Sequence, residues 1–267
     1  MKLRKYCKGF APKRNLRQNW LISYSRRRSA YEESRYSSFR SRYSNGGWWF
    51  FTYGAQPAPL TEEQKAILKT QDERLSKGSP DAPVKIIEYV DVLCPFCAKA
   101  SQPGDILPRM MEEYVDTKKA HYEVRLVAKV APDSQRADEG AYCAAEQDQF
   151  WPYLDKAYND TWKQYYSKDK DAADVPFFQM TTIQTFVRSI PEIDFYRWQR
   201  CMDNNIYAQT MDDNAKEMVR LEAYGTPTMV VDGKSYTGAP PYPAFQAVIN
   251  ASLNEKKAQE KKDEEKE

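Results

Sequence analysis

Two thiols set three residues apart, in Cys94-Pro95-Phe96-Cys97, are the groups of this 267-residue chain best suited to covalent chemistry. At the start of a helix that spacing brings both sulfurs within disulfide reach. The free N–H groups and the helix dipole then favour a thiolate on the first of them. A thiolate attacks disulfides, whereas a thiol does not. Cys94 therefore reads as nucleophile or leaving group, and Cys97, one turn further in, as the resolving thiol. Half of a zinc site and a pair of inert structural thiols are the competing readings. Zinc is disfavoured because no second CxxC or Cys–His pair stands at ligand spacing, and His121 is the single histidine. The chemistry needs neither a metal nor a cofactor.

Two other stretches could serve these thiols. Glu88 lies six residues before Cys94 among Ile86, Ile87, Tyr89 and Val90. A carboxyl buried in so apolar a strand has a raised pKa and can trade protons with the Cys97 thiol. An exposed strand-edge glutamate is the alternative. Gly225-Thr226-Pro227-Thr228 stands directly before a strand, where proline is awkward. A cis Thr226–Pro227 bond would offer Thr226 backbone groups to an extended substrate; a trans turn is equally compatible with the residues. Thr226 and Pro227, with Pro95 and Phe96 between the thiols, are the candidate substrate-binding residues.

The elements that must place these residues follow from pattern. Thr61-Glu62-Glu63-Gln64 has capping-box spacing and predicts a helix over 57–78 that Gly78 would end. Val84–Leu93 is too uniformly apolar for a one-faced strand and fits a buried one. Pro95 suits a first helical position, so a helix should begin at Cys94; Pro103-Gly104 and Pro108 must then break it. His121–Val127 reads as a second strand, completing a βαβ unit with a parallel pair. From Ser134 to about Tyr224 apolar residues recur at helical steps, as in Phe150, Tyr153, Leu154, Ala157 and Tyr158, which marks core. Met229–Val231, the turn Asp232-Gly233 and Ser235–Thr237 form a hairpin. A helix over Tyr242–Leu253 closes the fold, with Phe245, Val248 and Ile249 inward.

These residues together resemble the DsbA-like branch of the thioredoxin superfamily over about Gly78–Leu253. The resemblance rests on Ile87–Cys97, Glu113–Thr117, Tyr142–Gln147 with Phe150-Trp151, Gly225–Thr228 and Gly238–Tyr242. It implies an α/β thioredoxin fold, residues 79–132 and 219–254, interrupted by a helical insertion over 133–218. It also implies an enzyme that makes or exchanges disulfides in exported proteins, acting on unfolded or reduced protein substrates and recycled by a separate redox partner. The same likeness gives Cys94, Cys97, Glu88 and a cis Pro227 the roles above, and places the protein outside the cytoplasm. A reductase or isomerase on the same fold is the alternative direction. No dimerisation module of the isomerase kind is visible, which favours a monomeric oxidase. Cys143 and Cys201 flank the insertion, and similar pairs recur in related proteins; they are expected to form a structural disulfide or else remain two buried thiols.

Charge separates the two ends from this body. Residues 1–52 carry 13 Lys and Arg against Glu32 and Glu33, a net of +11, leaving the rest with 27 basic and 36 acidic residues. The Ser-, Arg- and Tyr-rich segment has no period, so residues 1–56 read as a disordered basic arm. Three readings of it stand: a flexible tail, which composition favours; a tether to nucleic acid or an anionic membrane through phosphates; or a wrong start upstream of Trp48. The apolar run Trp48–Phe51 is too short for a secretory signal, and no stretch has the roughly 20 apolar residues of a membrane-spanning helix. Cys7 has no assigned role. The tail 255–267 is nearly all charged and reads as a solvated, disordered end.

Overall fold

The computed structural model describes residues 71–265. The basic arm, Cys7, Trp48–Phe51 and the Thr61–Gln64 capping box lie outside these residues. Five strands form one sheet in the order β1-β3-β2-β4-β5: β1 (Ser76–Lys77), β2 (Val84–Val90), β3 (Ala120–Leu126), β4 (Thr228–Val231) and β5 (Lys234–Thr237). The expected parallel pair is β2 and β3, with Glu88 opposite Val124; every other neighbouring pair is antiparallel. Between β2 and β3 lie α1 (Pro95–Ala100), α2 (Ile106–Met110) and a π-turn over Met111–Val115. Between β3 and β4 the chain is helical: α3 (Ser134–Ala145), α4 (Phe150–Gln164), α5 (Ile183–Arg188), α6 (Phe195–Asn204) and α7 (Ala208–Arg220). Helix α8 (Tyr242–Glu264) closes the fold.

Strand β2 is buried on both faces, as its composition requires, and strand geometry sends alternate side chains to opposite sides. Val84, Ile86 and Val90 join the larger core with Cys94, Cys97, Phe150, Leu154 and Phe245. Ile87 and Tyr89 face the other way, onto Ala215 and Met218 of α7. Residues of α7 up to 218, assigned from sequence to the helical insertion, thus cover the sheet itself. Asn214 Nδ2 also donates to the Leu126 carbonyl at 3.0 Å. The helical-step residues Tyr153, Leu154, Ala157, Tyr158, Ile183, Phe186 and Val187 are all buried, as a core stripe should be.

Two expectations at the ends of the fold need correction. The helix predicted to run to Gly78 is absent over its described part: Glu73–Leu75 makes one 3₁₀ turn and Ser76–Lys77 is a strand on β3. Gly78 is required there for another reason. Its φ is +89°, and a Cβ would lie 2.7 Å from the Ala120 carbonyl oxygen. At the other end, the charged tail continues α8 to Glu264 rather than being disordered. Residues 255–264 contain good helix formers and neither Gly nor Pro. Lys234 pairs with Glu255 at 3.5 Å, Lys256 with Asp232 at 3.7 Å, and Gln259 donates to Asp263 at 2.9 Å.

Cys143 of α3 and Cys201 of α6 form a disulfide with an S–S distance of 2.02 Å, so they are not separate thiols. It closes a loop with a sequence separation of 58. Chain entropy then gives stabilisation of about 4 kcal/mol as an upper value. Replacing both by Ala should lower unfolding free energy in urea by about 2–4 kcal/mol; an unchanged midpoint would deny the bridge a structural role.

Candidate active site

Cys94 is the N-cap of α1 and Pro95 its first residue, so the helix begins where the sequence predicts. The Cys94 sulfur accepts from the Cys97 N–H at 3.4 Å and lies 3.2 Å from the Thr226 carbonyl, to which its thiol donates. Both cysteines are free and buried. Their settings differ sharply. The neighbouring Cys97 thiol, the Thr226 side chain and the N–H groups of Cys97 and Phe96 together hold the Cys94 thiol below its ordinary pKa, against the opposing effect of burial. Burial pushes Cys97 well above the ordinary thiol value, and charge on Cys94 or Glu88 would push it further. One thiol is thus prepared to be a thiolate and the other to hold its proton.

Glu88 is buried, not at a strand edge. Its place in β2 turns it toward the face that carries Cys97, and burial raises its carboxyl to about 8 despite a hydrogen bond from the Tyr122 hydroxyl. The other carboxyl oxygen, Oε1, has no hydrogen-bond partner among the described residues. The Thr226–Pro227 bond is cis. The loop around it is fastened by Thr228 Oγ1 donating to the Gly225 carbonyl at 2.7 Å and by Gly238 N donating to the Pro227 carbonyl at 2.7 Å. Phe96, 62% exposed, and Tyr224, 75% exposed, place aromatic rings at the surface next to the two halves of the site.

Three further residues that the sequence reading gave no role hold this arrangement. Asp91 accepts from the N–H groups of Leu93, Lys129 and Val130 and from the Ser134 hydroxyl, at 2.7–2.9 Å. Asp138 of α3 accepts from Val92 N at 2.9 Å and Ala128 N at 2.8 Å. The turn into Cys94 is therefore held by carboxylates from both layers of the fold. Tyr122 is the third, reaching Glu88 across the β2–β3 pair. A carboxyl in an apolar run, Asp91 after Val90, was the one available signal.

The chain from 70 to 251 matches the family model described as thioredoxin. A probable disulfide bond formation protein D of Bacillus anthracis is 25% identical over 67% of this chain and 77% of its own length. Among solved structures, oxidised BdbD from Bacillus subtilis aligns over 67% of this chain and 92% of its own, with 18% identity and a TM-score of 0.56. Wolbachia pipientis alpha-DsbA1 aligns over 74% and 98%, with 19% identity and a TM-score of 0.57. At these identities the structures speak to the fold.

Glu88 makes stability depend on pH in a definite direction. Its folded-state pKa of about 8 lies above the ordinary 4.5, so the folded protein binds the proton more tightly. The contribution is complete below about pH 4.5 and is lost as pH rises through about 8. At about 1.36 kcal/mol per unit, the reduced protein should lose about 3 kcal/mol from this group between pH 4.5 and pH 7. Denaturant titrations at both values should show the wild type losing about 3 kcal/mol more than Glu88→Gln, since the other buried carboxyls titrate in both; equal losses would mean that the Glu88 pKa is not raised.

Proposed function

The chain belongs to the DsbA-like branch of the thioredoxin superfamily and is a thiol–disulfide oxidoreductase, and from that premise we propose that Cys94-Pro95-Phe96-Cys97 is its redox centre, used to oxidise exported proteins. The observation that carries the reading is the asymmetry of the two thiols. A group that stabilises the Cys94 thiolate stabilises the reduced enzyme relative to its disulfide, which makes that disulfide a strong oxidant.

The reaction runs in two exchanges. A thiolate of a reduced substrate attacks Cys94 Sγ of the enzyme disulfide. Cys97 leaves with the bonding electron pair and takes a proton from Glu88, forming a mixed disulfide between Cys94 and the substrate. The second substrate thiolate attacks the substrate sulfur of that bond and expels Cys94 as a thiolate. The substrate gains a disulfide, and the enzyme holds the two electrons. The extended substrate lies against Thr226 and Pro227, with Pro95 and Phe96 on its other side. A separate redox partner reoxidises the pair.

An extracytoplasmic setting fits both this direction and the Cys143–Cys201 bridge, because cytosolic thiols are kept reduced. Among the described residues no helix is long and apolar enough to cross a membrane.

The equilibrium potential of the Cys94–Cys97 pair in glutathione buffers tests the direction. The reference couples run from about −270 mV for thioredoxin to about −120 mV for DsbA. A value near the upper end is expected; one near the lower end would reverse the reading to a reductase. Ultraviolet thiolate titration of the reduced protein should show one group ionising below the ordinary thiol range. Cys94→Ser should abolish it, and Cys97→Ser should keep it while accumulating a mixed disulfide when a disulfide-bonded substrate is supplied, because no second thiol is left to resolve the bond.

A further inference from the structure

A proton exchanged by Glu88 must reach solvent, yet the residue is fully buried and, among the described residues, its carboxyl is hydrogen-bonded by Tyr122 alone. Beside it lies a cavity of about 180 Å³, reaching from Glu88, Tyr122 and Tyr158 to Lys77 and Asp155. About 10–15 Å³ of such space suffices for one water, and although most of the lining is apolar, Glu88, Tyr122, Tyr158 and Asp155 supply the polar partners that a water needs. Glu88 Oε1 has no hydrogen-bond partner among the described residues, which makes it the group a water would satisfy. At the far end Asp155 is exposed. Lys77 sits 4.2 Å above the Trp151 ring, which holds its ammonium at the mouth.

We propose that this cavity is the proton passage of the redox centre, with Asp155 passing protons between solvent and Glu88 and Lys77 fixing the charge at its mouth. The proposal rests on the redox role of Glu88 given above. Asp155 touches no reacting sulfur and acts through Glu88. When Cys97 leaves as a thiolate, Glu88 gives it a proton, and a proton from solvent crosses by way of Asp155 and cavity water to restore the Glu88 carboxyl. Reoxidation runs the same transfer outward. No other atom moves and no electron is exchanged in these steps.

The groups that face the passage come from every surrounding layer. Lys77 belongs to β1, Glu88 to β2, Tyr122 to β3, and Asp155 and Tyr158 to α4, while α2 and the π-turn offer only the uncharged side chains of Leu107, Pro108 and Met111. Partial burial raises the Asp155 carboxyl above the usual aspartate range, with Lys77 opposing, which brings it closer to Glu88 as a proton donor. Burial holds Tyr122 and Tyr158 well above the ordinary phenol value, so neither ionises at neutral pH.

The test is the rate at which a dithiol peptide reduces the oxidised full-length protein, followed across pH in dilute buffer. Asp155→Asn is isosteric at an exposed position, and a thermal melt confirms its fold. It should slow the step about 3- to 10-fold. Imidazole, which titrates near neutrality, should restore the rate in proportion to its concentration at fixed pH and ionic strength. The wild type should be insensitive to it, a difference that a merely structural role for Asp155 would not produce. Glu88→Gln should be slow by itself, and adding Asp155→Asn should slow it no further. A wild-type rate in Asp155→Asn with Glu88→Gln slow would overturn the passage alone. Additive effects of the two changes would overturn it as well. A normal rate in Glu88→Gln would overturn both the passage and the role of Glu88 that it serves.

Discussion

The chemistry assigned to this protein depends on where one short helix starts. If α1 began one residue earlier or later, Cys94 would lose its cap position, the Cys97 N–H would no longer point at its sulfur, and the two thiols would approach the same environment. The start is held from several sides. Asp91 and Asp138 gather the backbone N–H groups around it, and the Tyr166 hydroxyl donates to the Leu93 carbonyl at 2.7 Å. Buried carboxylates that accept several backbone hydrogen bonds are costly to place and costlier to remove. They fix a geometry that a helix of six residues could not keep by itself.

The sheet carries buried charge on both faces, managed in opposite ways. On the α7 side Arg125 lies between Glu123, at 3.0 Å, and Glu217, which also accepts from the Tyr89 hydroxyl. Positive and negative groups meet there, and Arg125 opposes the upward push that burial gives the Glu123 carboxyl. On the other face, among the described residues, the Glu88 carboxyl is hydrogen-bonded only by a neutral phenol. Without a cation beside it, ionisation is unfavourable, and the group exchanges its proton near neutrality. One strand pair thus carries a settled ion network and an unsettled acid on opposite faces, separated only by the alternation of side chains.

How much of this was legible follows from how local each feature is. The cysteine spacing, Pro95 at the helix start, the apolar run of β2 and the stripe on α4 are short-range patterns, and all appear in the structure as expected. The apolar neighbours Ile86, Ile87, Tyr89 and Val90 also favoured burial of Glu88 over an exposed strand edge, and it is buried. Strand β1 has two residues, too few for any period, and only the close approach of Gly78 to Ala120 explains its path. Tyr122 and Asp138 reach the site through strand register and through the insertion folding back on the loop before Cys94, neither of which a single sequence displays. The α8 extension was misread because a charged run resembles a solvated end, although the same residues are good helix formers.

The bridge between α3 and α6 adds a condition on the path of electrons. On the proposed reading this chain holds one sulfur pair that cycles, Cys94 and Cys97, beside a disulfide that takes no part in the reaction. Electrons arriving at Cys94 would find in Cys143–Cys201 a competing acceptor within the same molecule. A trapped pair of electrons there would loosen α3, the helix that carries Asp138 and through it the turn into Cys94. Both bridging cysteines are buried, with Cys143 fully enclosed and Cys201 at 6% exposure. Thiol exchange requires in-line access to a sulfur, and Cys94 at 2% is no more exposed than Cys201, so burial alone does not keep the two pairs apart; what sets Cys94 apart is its seat at the start of a helix, beside the exposed ring of Phe96.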